Sequence, residues 1–367
     1  MTPAQLPVLV VNAGSTSLKL HLVDAEERVR ELTALDQAAG EPIAAVAHRV
    51  VHGGAAFTRP AVIDAGVTAR IRELTAIAPL HNPPALDGIE AGRRALPDVP
   101  HVAVFDTAFH STIPEAAHTY AVPAEWRERF GIRRFGFHGL SVEWSAIRAP
   151  QLLGRPAAPL SLVVCHLGGG CSVTAVRDGR SADTSMGFTP LEGVPMISRA
   201  GSVDPGALLH LQRQHGLAAA EIEEALNRRS GLLGLTGQPG MLEVARAAQA
   251  GDGRAALGLA VFAHRVAGTV AAMAVAAGGL DALVFTAGIG ENSAVVRRDV
   301  CELLRPLSVR LDYDRNEQAV PDADVARDGS PVRVLVIHAR EELVAARAAR
   351  ELISKGRAAS PSRSPRR

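Results

Sequence analysis

Side chains able to handle an anion recur along this chain at the ends of short apolar runs. Residues 44–54 run through apolar positions into His48, Arg49 and His52, followed by Gly53 and Gly54. A guanidinium presents forked donors that match two oxygens of a carboxylate or phosphate. The two histidines are compatible with metal ligation or anion binding, although no further His or Cys follows nearby at zinc spacing. His101 to Phe105 is apolar and ends in Asp106. A carboxylate at the carboxyl end of a strand can hold a metal ion in an open α/β sheet, or it can cap a turn. In the run 133–139, His138 lies between Phe137 and Gly139, close to Arg133 and Arg134, which suits either a satisfied core histidine or an anion site. Arg199 adds a second candidate guanidinium, inside a stretch from 180 to 205 dense in Gly, Pro and hydroxyl residues. Long loops of that kind are usually functional.

Three further segments have the grammar of phosphate contacts. Residues 8–23 read as a buried strand, a polar turn Asn12-Ala13-Gly14-Ser15-Thr16-Ser17, and a half-exposed strand that includes Lys19. Glycine lets the backbone approach an anion, and hydroxyls with backbone N–H groups can cradle its oxygens; an ordinary polar hairpin is the alternative. This is no P-loop, because no GxxxxGK[ST] precedes a helix. Residues 162–176 repeat the pattern, with Gly168-Gly169-Gly170 at the turn. Residues 280–293 then give a strand, Gly288-Ile289-Gly290, and a helix with Glu291 in its first turn, the context of a nucleotide contact.

The elements that must position these groups follow from periodicity. Strands are expected at 8–11, 18–23, 44–50, 101–105, 162–167, 171–176, 281–286 and 332–337. Helices are expected at 71–80, 85–95, 206–215, 218–229, 241–278 and from Glu341 to about Ser354. Residues 24–45 give few strand signals, and the Gly-rich stretch 230–237 reads as an interruption between helices. The length of 367 residues suggests about two domains. A net charge of +1 argues against a nucleic-acid binder, and three cysteines are too few for a disulfide framework. The most apolar stretch, 255–277, is interrupted by His264 and Arg265 and reads as a buried helix rather than a membrane span. With no basic, apolar leader at the start, the expectation is a cytoplasmic enzyme with no membrane or nucleic-acid partner. Ser, Pro and Arg near the end make 355–367 an expected disordered basic tail.

Phosphate-type turns, two arginines, a mouth histidine and late carboxylates, without a serine nucleophile and its base, fit phosphoryl transfer. In this order the segments VNAGSTSLKL, HRVVHGG, APLHNPP, VFDTAFH, GIRRFGFHG, CHLGGGCSVTAV, DTSMGFTPLEG, SGLLGLTG, FTAGIGENSAVVR and EELVAAR resemble the acetate kinase family of acyl-phosphate-forming kinases, over nearly the whole chain from Val8 to about Leu352. The resemblance implies an α/β fold of two ribonuclease-H-like (actin/Hsp70-type) domains with mixed five-stranded sheets around an interdomain cleft. It implies a first domain of 1–112 plus 342–354 and a second of 113–341. It implies ATP and acetate as substrates, Mg²⁺ (or Mn²⁺) as cofactor, and a homodimer.

Carried over residue by residue, the resemblance places catalytic roles on Arg49, Asp106, His138 and Arg199. ATP contacts fall on Ser15, Ser17, Lys19, His166, Gly168, Gly170, Gly288, Ile289 and Asn292. The metal side falls on Asn12 and Glu341, with Asp106. Val51, Leu80, Phe137 and Pro190 form the pocket for the acyl methyl, and Arg49 binds the acyl carboxylate. Departures from the family pattern are Gly169 in place of an Asn, Gln238 to Leu242 in place of an Asp and Arg near adenine, Val142 in place of a His, Arg340 in place of an Asn, and a shortened 24–45 segment. Propionate or butyrate as acceptor, pyrophosphate as donor, or a non-catalytic nucleotide-binding regulator are the competing readings.

Overall fold

A computed structural model describes residues 5–14, 18–155 and 159–358. The expected phosphate contacts Ser15 and Ser17 lie outside the described residues, as do residues 359–367 of the expected tail. The chain divides into two compact units. One takes the chain up to Phe109, the short piece His138–Leu140 and everything from Arg340; the other takes His110–Phe137 and Ser141–Ala339.

The first unit is built on strands β1 (Val8–Ala13), β2 (Leu18–Val23), β3 (Val29–Leu32), β4 (Ala45–Val50), β5 (Ala61–Val62) and β6 (His101–Phe105), in the order β3-β2-β1-β4-β6-β5. The second uses β7 (Ser161–Leu167), β8 (Cys171–Arg177), β9 (Arg180–Thr184), β10 (Ala282–Thr286), β11 (Ala323–Asp324) and β12 (Arg333–Val336), in the order β11-β12-β10-β7-β8-β9. Read from the hairpin edge, the two orders are the same. Each begins with an antiparallel meander, continues through parallel pairs and ends on a short antiparallel strand. The two hairpins expected at 8–23 and 162–176 are therefore equivalent parts of one topology. Each sheet has six strands rather than the expected five, because a two-residue strand, β5 or β11, is added at one edge.

Burial explains the apolar runs. β6 and β10 are buried along their whole length, as central parallel strands must be when both faces are covered. In the first unit the helices Asn82–Ala95 and Glu341–Ala358 both pack on β1 and β4. Asn82–Ala95 starts three residues earlier than expected, since Pro83 and Pro84 fit the first turn where no intrahelical N–H is needed. Gly92 lets it sit close to the sheet: a Cβ there would lie 2.8 Å from His48 Cε1.

In the second unit Gly253–Ala277 packs on β7 and β8. By length and composition alone it could cross a membrane, but Phe262, Val266, Val270, Met273 and Ala277 are buried, so it is a core helix as expected. It also explains why β8 is buried on both faces instead of half-exposed, with Thr174 satisfied by Thr184 at 2.8 Å. Several other expectations change. The helix expected over 241–278 is broken into Met241–Gln249 and Gly253–Ala277, the one expected at 71–80 runs Ala65–Glu73, and Arg180–Thr184 forms a strand at the start of the expected loop. Residues 29–32 do form an edge strand. The Gly-rich stretch contains a helix, Gly231–Thr236. The last helix continues to Ala358, so the expected tail begins as helix.

Behind the sheet of the first unit, His48 Nε2 lies 2.9 Å from His101 Nδ1, and His101 Nε2 lies 3.0 Å from the Leu96 carbonyl. Burial, then the neighbouring His101, lowers the His48 pKa from 6.5 to about 3. A histidine neutral when folded takes up its proton on unfolding. Its contribution is complete above pH 6.5 and is lost as pH falls towards 3, by up to about 1.4 kcal/mol per pH unit. Urea unfolding at about pH 7 and about pH 5.5 should show a drop in stability that is smaller in His48→Gln; equal drops in the two proteins would place the proton uptake elsewhere.

Candidate active site

In the first unit the site grows from the carboxyl ends of three adjacent strands. β1, β4 and β6 run parallel side by side, and their ends carry Asn12, Arg49 and, one residue past β6, Asp106. Arg49 Nε donates to Asp106 Oδ1 at 2.8 Å and Nη2 to Oδ2 at 2.6 Å, a bidentate pair. Arg49 Nη1 donates to Asn12 Oδ1 at 3.2 Å and lies 3.3 Å from Glu341 Oε2 at the start of the last helix. Asp106 is 1% exposed. Burial alone would favour a neutral guanidinium, but the carboxylates of Asp106 and Glu341 outweigh it and hold the Arg49 pKa above its ordinary value. Four of the expected residues therefore form one cluster.

His138 belongs to the same unit. Gly139 N donates to the Asp106 carbonyl at 2.9 Å, and a Cβ on Gly139 would lie 2.1 Å from that oxygen. His138 itself has φ of 60°, a left-handed conformation rare for a residue with a side chain. Such strain persists where the surroundings over-determine it, and it clusters at functional sites. Lys19 lies directly across β1–β2 from Asn12 and is exposed. Val51 is partly buried just past β4, and Leu80 is exposed. The remaining histidines of the 44–54 run are structural. His48 pairs with His101, and His52 Nδ1 accepts from Gly54 N at 2.9 Å, while His52 and Asn82 exchange backbone–side-chain bonds at 3.2 Å.

The second unit gathers a different set. Gly168 N donates to the Gly170 carbonyl, and a Cβ on Gly168 would sit 3.6 Å from Ala287 Cβ and 3.9 Å from Gly288 N. The triple-glycine turn and the start of the helix Ala287–Asn292 therefore touch, bringing Gly168 beside Ala287 and Gly288, with Ile289 and Asn292 following on the same helix. No turn separates β10 from that helix. His166, on β7 beside Thr286 of β10, is 2.8 Å from Ser141 Oγ through Nδ1. Ile197 N donates to the Gly169 carbonyl, so the Arg199 loop reaches the same turn. Arg199 Nη1 donates to the Pro190 carbonyl at 3.1 Å and lies 3.7 Å from Met196 Sδ; burial lowers its pKa. Phe137 is buried, and its carbonyl pairs with His110 Nε2 at 2.9 Å.

Sequence reasoning missed the clamp on the Pro190 loop. Arg134 Nη1 donates to the carbonyls of Thr184, Ser185 and Met186 at 2.9, 3.1 and 3.1 Å, and Nη2 to Glu192 at 2.9 Å. Tyr120 hydroxyl bonds Glu192 and accepts from Phe188 N. The adjacent Arg133-Arg134 pair was the available signal, but it read as an anion site. Sequence reasoning singled out Glu291 but put it in the first turn of its helix, where it is the fifth residue, and it missed the buried Arg297, which donates to the Gly290 and Glu291 carbonyls at 3.0 and 2.7 Å. Cys165, Cys171 and Cys301 are buried thiols whose pKa values burial raises, Cys171 to about 12, so none is an activated nucleophile. Among the described residues no group of three or more His, Cys, Asp and Glu side chains could hold a metal by itself.

Comparison with known proteins places this geometry. A family model described as the Acetokinase family matches residues 29–347. The acetate kinase of Leifsonia xyli is 45% identical over 95% of this chain and 99% of its own length. That of Deinococcus deserti is 51% identical over 86% of this chain and 79% of its own length. Among solved structures, a propionate kinase from Francisella tularensis superposes with a TM-score of 0.87 at 36% identity, covering 94% of this chain and 98% of that one. Porphyromonas gingivalis acetate kinase gives 0.85 at 33% identity, covering 95% and 100%. Agreement of this extent, in sequence and in both halves of the fold, makes the chain a member of the acetokinase family.

Proposed function

We propose that the protein transfers the γ-phosphoryl group of ATP to acetate, reversibly, by direct in-line displacement, as a cytoplasmic homodimer. The observation that carries this reading is the cluster of Asn12, Arg49, Asp106 and Glu341 at adjacent strand ends. The acceptor carboxylate is already an anion near neutral pH, so no strong base is required. The difficulty is electrostatic, since one anion must approach another. Arg49 and Arg199 offset that repulsion, and a transition state with charge on its equatorial oxygens gains most from fixed donors.

Arg49 has three of its nitrogens already engaged by Asp106, Asn12 and Glu341. It therefore acts as a rigidly held charge with little of its fork left for the acyl carboxylate. Arg199 and His138 stabilise the transferred phosphoryl group. His166, Gly168 and Gly170, with Gly288, Ile289 and Asn292 of the helix Ala287–Asn292 and with Lys19, take the nucleotide phosphates and adenosine. Val51, Leu80, Phe137 and Pro190 bound the acyl methyl.

Asn12, Asp106 and Glu341 offer hard oxygen donors carrying two negative charges beside one guanidinium. That set fits Mg²⁺, which is normally held by one or two carboxylates, water and substrate phosphates rather than by a protein cage. Bound there with ATP, the ion would neutralise phosphate charge.

A second acceptor is favoured by the similarity to the Francisella propionate kinase. Acyl-hydroxamate formation with acetate, propionate and butyrate, each against ATP and pyrophosphate, separates the readings; no product with any pair would refute phosphotransfer. Arg199→Ala should lower kcat by about 10²–10³ with a far smaller change in KM for ATP; an unchanged kcat would remove Arg199 from the transition state. Val51→Ala should raise the kcat/KM ratio of propionate to acetate by roughly tenfold, the worth of about one or two methylenes of pocket space. A ratio equal to wild type would take Val51 out of the pocket wall.

A further inference from the structure

Glu291 has no part in the transfer as drawn. It is the fifth residue of the helix Ala287–Asn292, yet it is only 9% exposed. Oε1 accepts from Ala287 N at 3.0 Å and from Ala339 N at 2.9 Å, and Oε2 is 2.6 Å from His338 Nδ1. Ala287 opens the helix that leaves β10. His338 and Ala339 lie just past the end of β12. β10 and β12 are parallel neighbours, with Phe285 beside Val336, so one carboxylate ties together the exits of both strands.

What it fixes is unusual. Ala287 has φ of 66°, in the left-handed region that disfavours any residue with a Cβ. Its Cβ lies against the face where Gly168 has none, and Gly288 N follows directly. The placement of Gly288 beside the triple-glycine turn, and the course of the helix that follows it, therefore depends on Ala287 staying in this conformation. The far end of the helix is held independently by Arg297, through the carbonyls of Gly290 and Glu291.

We propose that Glu291 is a positioning residue for the nucleotide: by holding Ala287 and Ala339 on one oxygen, it sets the helix start that meets ATP and ADP. This rests on the assignment of the nucleotide to Gly288, Ile289 and the Gly168–Gly170 turn. A residue that acts through this helix start alone should alter nucleotide affinity without altering acceptor affinity.

Steady-state kinetics and calorimetric ADP binding on wild type, Glu291→Ala and Glu291→Gln test it. Glu291→Ala should raise KM for ATP and Kd for ADP about tenfold or more, leaving KM for acetate within about twofold. Glu291→Gln keeps an acceptor oxygen for both N–H groups, and its amide can face the His338 ring nitrogen, so it should recover most of the loss. An unchanged ADP Kd in Glu291→Ala, or an equal rise in both KM values, would overturn the proposal. Should the alanine variant not fold, Glu291→Asp, one methylene too short to span both N–H groups, takes its place, and wild-type ADP affinity there would overturn it equally. Wild-type protein that binds ADP but forms no acyl phosphate would refute the transfer reaction and leave the Glu291 assignment standing.

Discussion

A buried ion pair between Arg49 and Asp106 is the interaction that holds together the strand ends of the first unit, where the proposed chemistry is centred. Removing two charges from water is costly, and attraction in the interior repays it only when geometry is good and remaining donors are satisfied. Both conditions are met: the pair is bidentate at 2.6 and 2.8 Å, and the third nitrogen reaches Asn12 and Glu341. The pair also depends on register. Arg49 stands beside Val104, and its guanidinium reaches forward to the carboxylate just past the end of β6. A slip of one residue between β4 and β6 would turn Arg49 to the other face of the sheet and leave Asp106 buried without its partner.

The second unit solves the same topological problem with different chemistry. In each sheet three parallel strands end side by side, and in each the exits of two neighbours are tied together. The first unit ties β4 to β6 by a guanidinium–carboxylate pair, and the second ties β10 to β12 by Glu291 and backbone N–H groups. One set of strand ends thus carries a buried ion pair, while the other combines glycines with backbone N–H groups held by a carboxylate.

Much of this was legible in the residue pattern, and the failures have physical causes. The two hairpins, the strand ending in Asp106 and the long Arg199 loop were visible because apolar runs and glycine turns are local signals. β3 was not, since Val-Arg-Glu-Leu is short and half polar and is held by tertiary contacts, its pairing with β2 and the burial of Leu32. The helix Gly231–Thr236 was hidden by its glycines, and tertiary bonds from Leu232 N and Leu233 N to the carbonyls of Met196 and Ile197 fix it in place. His48 remained ambiguous because its partner, His101, is distant in sequence. Glu291 read as an ordinary first-turn carboxylate, and only the meeting of β10 with β12 reveals its second and third partners.

The loop proposed for the acyl side poses a harder problem than either sheet, because residues 185–204 form neither strand nor helix and yet include Pro190 and Arg199. Irregular backbone holds a side chain accurately only if its own polar groups are anchored. Here one side chain does much of that. A lysine could not replace Arg134, whose planar fork meets three successive carbonyls with one nitrogen and Glu192 with another. Tyr120 adds Phe188 N and Glu192 to the same network. The Pro190 carbonyl, fixed between these anchors, then takes a hydrogen bond from Arg199. A guanidinium asked to favour the transition state over the ground state must not have to reorganise when charge develops. Arg134 thereby supplies the rigidity that the role proposed for Arg199 requires.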